Sequence, residues 1–183
     1  TGTLGDFGCF SFYATKNVTT GEGGMVLARD PEQLDRIKIL ALPGMTRDAW
    51  KRFSDDGYKH YQVVERGFKY NMMDLQAAIG LHQLKRVNDG WARRQAIWQR
   101  YQLALADLPM IRPLEPPAHV RHAYHLYTVL IDQTCCAISR DAFMARMTAA
   151  GIGVGVHYLA LPEHPYYQEH RKRSINPTFK ALS

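Results

Sequence analysis

The stretch Phe7-Gly8-Cys9-Phe10-Ser11-Phe12-Tyr13-Ala14-Thr15-Lys16-Asn17-Val18-Thr19-Thr20-Gly21-Glu22-Gly23-Gly24-Met25-Val26 decides how the rest of the chain is read. Residues 8–13 are mostly apolar and suit a buried strand, and Gly24 to Ala28 reads as a second strand after a turn. Gly21, Gly23 and Gly24 allow backbone angles closed to other residues, so the chain can reverse tightly between the two. Lys16 stands between these segments. A lysine enclosed by buried neighbours loses its hydration, and that makes its amine a nucleophile. The bland alternative is a solvated lysine at a hairpin tip. Ser11 carries a hydroxyl that can donate to a phosphate oxygen. The ordinary role of such a serine is that of a satisfied polar group at a strand end.

Working outward, Asp30 is placed to cap a helix that opens at Pro31, carries Leu34, Ile37 and Leu40 on one face, and stops near Pro43-Gly44. From Met45 to Glu65 no period is visible, which predicts a long loop, and such loops in compact domains are usually functional or mobile. Gly67 to Asn71 then leads into the longest helix. Leu75, Ile79, His82, Val87, Trp91, Trp98, Tyr101, Leu105 and Leu108 form its apolar stripe, with a kink expected at Gly90. At roughly 1.5 Å per residue that helix would be about 50 Å long, enough to connect two domains. Its aromatic stripe reads as core.

Pro113, Pro116 and Pro117 mark a linker. Beyond it, a strand over Tyr124 to Asp132, a helix capped by Ser139 and running to about Ala150, and a strand after Gly151 predict a small α+β domain. Gly151-Ile152-Gly153-Val154-Gly155 follows a helix and enters a strand, the reverse of a dinucleotide fingerprint, so that reading is rejected. His119, His122 and His125 are spaced three apart, but no cysteine or carboxylate completes a metal set and the segment crosses from linker to strand, so no metal is expected.

Of the 183 residues, 46% are hydrophobic and 22% charged, the balance of a globular protein with a real core. The formal charge of +6 would suit an anionic partner. Its basic residues are scattered, however, with Arg93-Arg94 and His170-Arg171-Lys172-Arg173 the tight clusters. A solvated face is therefore the simpler account, and no nucleic-acid partner is expected. Cys9, Cys135 and Cys136 frame neither a metal site nor a disulfide set and suggest a reducing compartment. No apolar run is long enough to span a bilayer and no signal peptide opens the chain, so a cytoplasmic protein without a membrane partner is expected.

Several blocks together resemble one family. Gly5-Asp6, Phe10-Ser11-Phe12, Lys16-Asn17 and Thr20-Gly21-Glu22-Gly23-Gly24 are followed by Gly67-Phe68-Lys69-Tyr70-Asn71-Met72 and Asp74-Leu75-Gln76-Ala77-Ala78-Ile79-Gly80. His122-Ala123-Tyr124-His125-Leu126-Tyr127, Gly151-Ile152-Gly153, His157-Tyr158 and Pro165-Tyr166-Tyr167 come later in the same order. The pattern is similar to the DegT/DnrJ/EryC1/StrS family of pyridoxal 5'-phosphate (PLP)-dependent sugar aminotransferases, nearest the subset that makes amino-arabinose-type sugars.

The resemblance implies an α/β protein of PLP-dependent transferase fold type I. Residues 1–90 would be the C-terminal part of the PLP-binding large domain, and residues 91–183 the connecting helix and an incomplete small domain. It implies that Lys16 holds PLP and is the catalytic residue, that Ser11 binds the cofactor phosphate, and that His157 and Tyr158 face the sugar. Lysine at this position also speaks against the family's dehydratase branch, where histidine stands instead. Lys69 and Asn71 occupy the polar positions of a block that, in the family, reaches a neighbour's cofactor phosphate across a dimer interface. The family's common pattern there is Gly-aromatic-Asn-Tyr-Arg, so the role of each residue departs from it. Another His, frequent in the family five residues after the one at 157, is replaced here by Pro162. The implied partners are a nucleotide-sugar, an amino-acid donor (glutamate in most of the family) and a second copy in a homodimer with shared active sites. Features that the family places upstream of its lysine are not in this chain, so a piece truncated at both ends is expected. The rival expectation is a catalytically incomplete chain acting only as a self-associating module.

Overall fold

The computed structural model describes residues 1–45 and 61–171. Most of the loop expected over Met45–Glu65, and the end of the His170–Arg173 cluster, lie outside the described residues. The chain divides into two compact units: Thr1–Asp107 with Arg112–Thr128, and Leu108–Ile111 with Val129–Ser183.

The first unit opens with an antiparallel hairpin. Strand β1, Phe7–Ser11, pairs with β2, Gly24–Ala28, in a register that sets Phe7 opposite Ala28, Cys9 opposite Val26 and Ser11 opposite Gly24. The expected burial of these strands is not found. Gly8 is the one buried residue of β1, and β2 has none, because no third strand flanks the pair among the described residues.

Helix α1, Pro31–Ala41, starts as its sequence dictates. The Asp30 carboxylate accepts from the Glu32 N–H at 2.9 Å, and Pro31 fills a first-turn position where no N–H is needed. Helix α2, Asp74–Lys85, is entered through Met73, whose N–H donates to Gln76 Oε1 at 2.9 Å. Helix α3, Val87–Ala104, follows at once.

The single long helix is thus two helices, and the break is at Arg86 (φ −99°, ψ 2°) rather than at Gly90. The Gly90 N–H donates to Arg86 O at 2.9 Å in ordinary helical fashion. A glycine costs a helix about 1 kcal/mol but does not remove a donor or introduce a clash, so it does not compel a break.

Trp98 on α3 is the centre of this unit's packing, with 4% of its surface exposed. Tyr124 and Tyr127 meet its ring edge-on at 5.4 and 4.9 Å between centroids, and His122 lies at 5.2 Å. The proline-rich segment expected as a loose linker is instead strapped along α3. Gln102 Nε2 donates to Pro113 O at 2.7 Å, Arg112 Nη1 donates to Gln102 O at 2.5 Å, and Trp91 Nε1 donates to His122 O at 2.7 Å. This attachment puts α3 in the first unit, and the compact units part near residues 108–111 and 128–129.

In the second unit, β3, Met110–Ile111, pairs antiparallel with β4, Leu130–Ile131. The strand expected from Tyr124 to Asp132 is realised only in β4; residues 118–129 are irregular, and Tyr124 takes φ 48°. Helix α4, Arg140–Ala149, is capped by Ser139, whose Oγ accepts from the Ala142 N–H at 3.3 Å. The strand expected after Gly151 does not form. A strand needs a partner for its backbone groups, and none is present there among the described residues. A single 3-10 turn, Leu161–Glu163, precedes a short helix α5, Pro165–Arg171.

Candidate active site

The loop between β1 and β2 is closed by backbone hydrogen bonds at its base. Phe12 N donates to Gly23 O at 2.8 Å, and Thr20 N donates to Phe12 O at 2.9 Å. Phe12 O also accepts from Thr19 Oγ1 at 3.2 Å, so one carbonyl ties two positions on the return limb. Thr20 is 3% exposed, and its hydroxyl donates to Glu22 O at 2.6 Å. Gly23 (φ 152°) sits beside this threonine so closely that any Cβ there would collide with Thr20 Oγ1. Glycine at 23 is therefore required by packing as well as by backbone angle.

At the loop's tip, Lys16 N donates to Tyr13 O at 2.9 Å, making a local turn that presents the side chain. Lys16 is exposed, and its amine has no partner among the described residues. The enclosure expected on both sides of it is absent, since the flanking strands are themselves uncovered. Ser11, at the end of β1, is exposed; its Oγ accepts from Tyr13 N at 3.4 Å, which leaves the hydroxyl hydrogen available to an acceptor.

Asn17, the next residue after Lys16, is held at both ends of its side chain. Its Nδ2 donates to Ala123 O at 2.8 Å, and its Oδ1 lies 3.0 Å from His125 Nδ1. Sequence reasoning weighs His125 only as a metal ligand and gives Asn17 no role of its own. The contacts of Asn17 with Ala123 and His125 span more than 100 positions and leave no local pattern to find.

Lys69 and Asn71 are brought together: Lys69 Nζ donates to Asn71 Oδ1 in a short contact. Lys69 takes φ 59°, an unusual left-handed conformation for a lysine that the segment leading into α2 imposes. His157 and Tyr158 belong to the second unit, both exposed, with ring centroids 4.4 Å apart. No group of three His, Cys, Asp or Glu side chains among the described residues is arranged to hold a metal ion. Of the histidines considered for one, His122 packs on Trp98 and His125 meets Asn17.

Comparison with known proteins gives this geometry its context. The model of the DegT/DnrJ/EryC1/StrS aminotransferase family matches residues 1–181. Protein MJ1066 of Methanocaldococcus jannaschii is 45% identical over 168 residues, covering 92% of this chain and 44% of its own length. The spore coat polysaccharide biosynthesis protein SpsC of Bacillus subtilis is 44% identical over 171 residues, with coverage of 92% and 43%. This chain thus spans less than half the length of these relatives. Among solved structures, the sugar aminotransferase Spr1654 of Streptococcus pneumoniae in its PLP form superposes with a TM-score of 0.79 at 31% identity, covering 93% of this chain and 42% of that one. The likeness supports fold type I.

The same protein has been solved in its PMP form, and PLP is the family's cofactor. The residues present fit that group: an exposed, unpartnered primary amine is able to condense with an aldehyde, and a strand-end hydroxyl with its hydrogen to spare is able to donate to a phosphate oxygen. The lysine turn, the glycine-bearing return limb and the match along nearly its whole length lead to one conclusion: the chain belongs to the DegT/DnrJ/EryC1/StrS family of PLP-dependent sugar aminotransferases.

Proposed function

We propose that this chain supplies the lysine-bearing part of an aminotransferase that moves an amino group from an amino acid, glutamate, to a nucleotide-linked keto-sugar. The product would serve cell-surface polysaccharide or antibiotic sugar synthesis, the first in keeping with the name of SpsC. The observation that carries the proposal is the Lys16 amine, presented by a closed loop and left unpartnered among the described residues.

PLP, when bound, supplies an electron sink that lets a C–H bond next to the donor's nitrogen break. Lys16 Nζ would hold the cofactor, and its free amine would serve as the base that moves a proton between neighbouring carbons. Ser11 Oγ donates to the cofactor's phosphate. Lys69 Nζ, with hydrogens beyond the one given to Asn71, and the Asn71 amide offer donors to a phosphate in the neighbouring site of a homodimer. His157 and Tyr158 face the sugar. In this arrangement residues 1–90 are the later part of the PLP-binding domain, residues 91–183 are the connecting helix and small domain, and the protein is cytoplasmic.

With glutamate and a panel of nucleotide-linked keto-sugars, the protein is expected to form amino-sugar product, and Lys16→Ala to abolish it. Turnover retained in Lys16→Ala would contradict the assignment.

A second reading is that the chain by itself is a self-associating module without activity. One observation favours it: Leu42 and Trp98 are the buried apolar side chains among the described residues, while Leu75, Leu81 and Leu84 of α2 and Met25 and Val26 of β2 are exposed. The two readings separate on whether PLP forms a saturable adduct at Lys16.

A further inference from the structure

The Asn17 carboxamide sits in a socket made for it, although nothing in the reaction calls directly on that side chain. Both ends are used. Nδ2 donates to Ala123 O at 2.8 Å, and Oδ1 stands 3.0 Å from His125 Nδ1. With Nδ2 committed to a carbonyl, Oδ1 is the atom that faces the imidazole, and His125 must then carry a hydrogen on Nδ1 and donate it.

The socket is itself held firmly on α3. Trp91 Nε1 donates to His122 O at 2.7 Å, and Tyr124 N donates to His122 Nδ1 at 3.1 Å. Tyr124 packs edge-on against the buried Trp98. Arg121 stacks 4.6 Å over the Trp91 ring and donates to Asn88 Oδ1 at 2.8 Å. The acceptor at Ala123 and the donor at His125 are thus fixed by packing that does not depend on the loop. Asn17 is the next residue after Lys16, whose own N–H is tied back to Tyr13 O. Between them these contacts fix the backbone on both sides of the lysine.

From this geometry we propose that Asn17 and His125 are positioning residues: a two-pronged clamp that sets the direction in which the Lys16 amine is presented. The proposal rests on the assignment of Lys16 as the cofactor lysine. The clamp specifies residue types. Aspartate at 17 would set a carboxylate oxygen against Ala123 O, and a leucine at 125 would leave Oδ1 without its donor. Asparagine at 125 retains an N–H near the position of Nδ1 and restores the bond.

The test uses the full chain with PLP as the probe. Adduct formation is followed by absorbance and, after borohydride, by mapping the fraction fixed on Lys16. His125→Leu and Asn17→Asp are expected to slow Lys16 adduct formation about ten-fold, the size of one lost side-chain hydrogen bond. His125→Asn is expected to stay within about three-fold of the parent, because its bond is kept. Equal rates in all variants would overturn the proposal. So would a loss in His125→Leu that His125→Asn fails to rescue, since that would make the role one of packing.

If the parent protein forms no Lys16 adduct at all, the functional assignment fails while the clamp is still tested by hydrogen exchange of the amides of residues 16–20. Faster exchange in His125→Leu and Asn17→Asp, reversed in His125→Asn, supports the clamp. Unchanged exchange overturns it.

Discussion

Two glycine-rich stretches in this chain look alike in sequence and differ in what surrounds them. In Gly21-Glu22-Gly23-Gly24, Gly23 O accepts from Phe12 N at 2.8 Å, and Gly24 is paired with Ser11 in the hairpin ladder. A side chain at Gly23 would collide with Thr20 Oγ1 and come within 2.8 Å of Met72 Cε. In Gly151-Ile152-Gly153-Val154-Gly155, every residue is exposed. Gly151 (φ 75°) stops α4: its N–H donates to Thr148 O at 3.0 Å while Ile152 N donates to Met147 O at 2.9 Å, the Schellman pattern. Gly153 and Gly155 would meet nothing within 4 Å. Three jobs are therefore hidden under one residue type: close packing, helix termination, and open space.

Alanine substitutions rank these jobs by thermal or denaturant unfolding. Gly23→Ala suffers both a disallowed backbone angle and a clash with buried Thr20, and is expected to cost about 3 kcal/mol. A cost under about 1 kcal/mol would mean the return limb is not packed as described. Gly151→Ala keeps open space around its methyl group but forces a left-handed angle, for an expected cost of about 1 kcal/mol. Gly153→Ala and Gly155→Ala should change stability by no more than about 0.5 kcal/mol. A large loss at either would show that the second stretch is packed after all, and the contrast would collapse.

The smallest effect concerns the turn before α4. The Thr134 hydroxyl and then the Thr134 N–H donate to Asp132, and these bonds hold its carboxyl below the ordinary value of 3.8. A depressed carboxylate stabilises the fold above its unfolded-state value, and that contribution is lost as pH falls through the folded value. The stability difference between the parent and Asp132→Asn should therefore be constant near neutrality and shrink below about pH 4. A difference unchanged down to about pH 2 would contradict these bonds.

The same contrast explains what could be read from the sequence. Helix α1 and helix α4 were legible because Asp30 and Ser139 accept from N–H groups two and three residues on, and Pro31 fills a first-turn position that needs no N–H. The Lys16 loop was legible because its glycines and its lysine are close in sequence and match a family pattern along residues 1–181. The strand expected over Tyr124–Asp132 shrank to Leu130–Ile131 because a strand is decided by a partner, and β3 offers two residues. The break falls at Arg86, where no breaker residue marks it, and not at Gly90, because a lone glycine does not end a helix. The Asn17 clamp was illegible for a different reason. It joins residues 17, 123 and 125 through side-chain and backbone atoms, and neither periodicity nor composition records such a meeting.

The most direct test of the account is an absorbance titration of the purified chain with PLP, followed by borohydride reduction and peptide mapping. The account predicts a saturable band whose reduced adduct maps to Lys16 and disappears in Lys16→Ala. No adduct, or adducts spread over surface lysines without preference for Lys16, would contradict it.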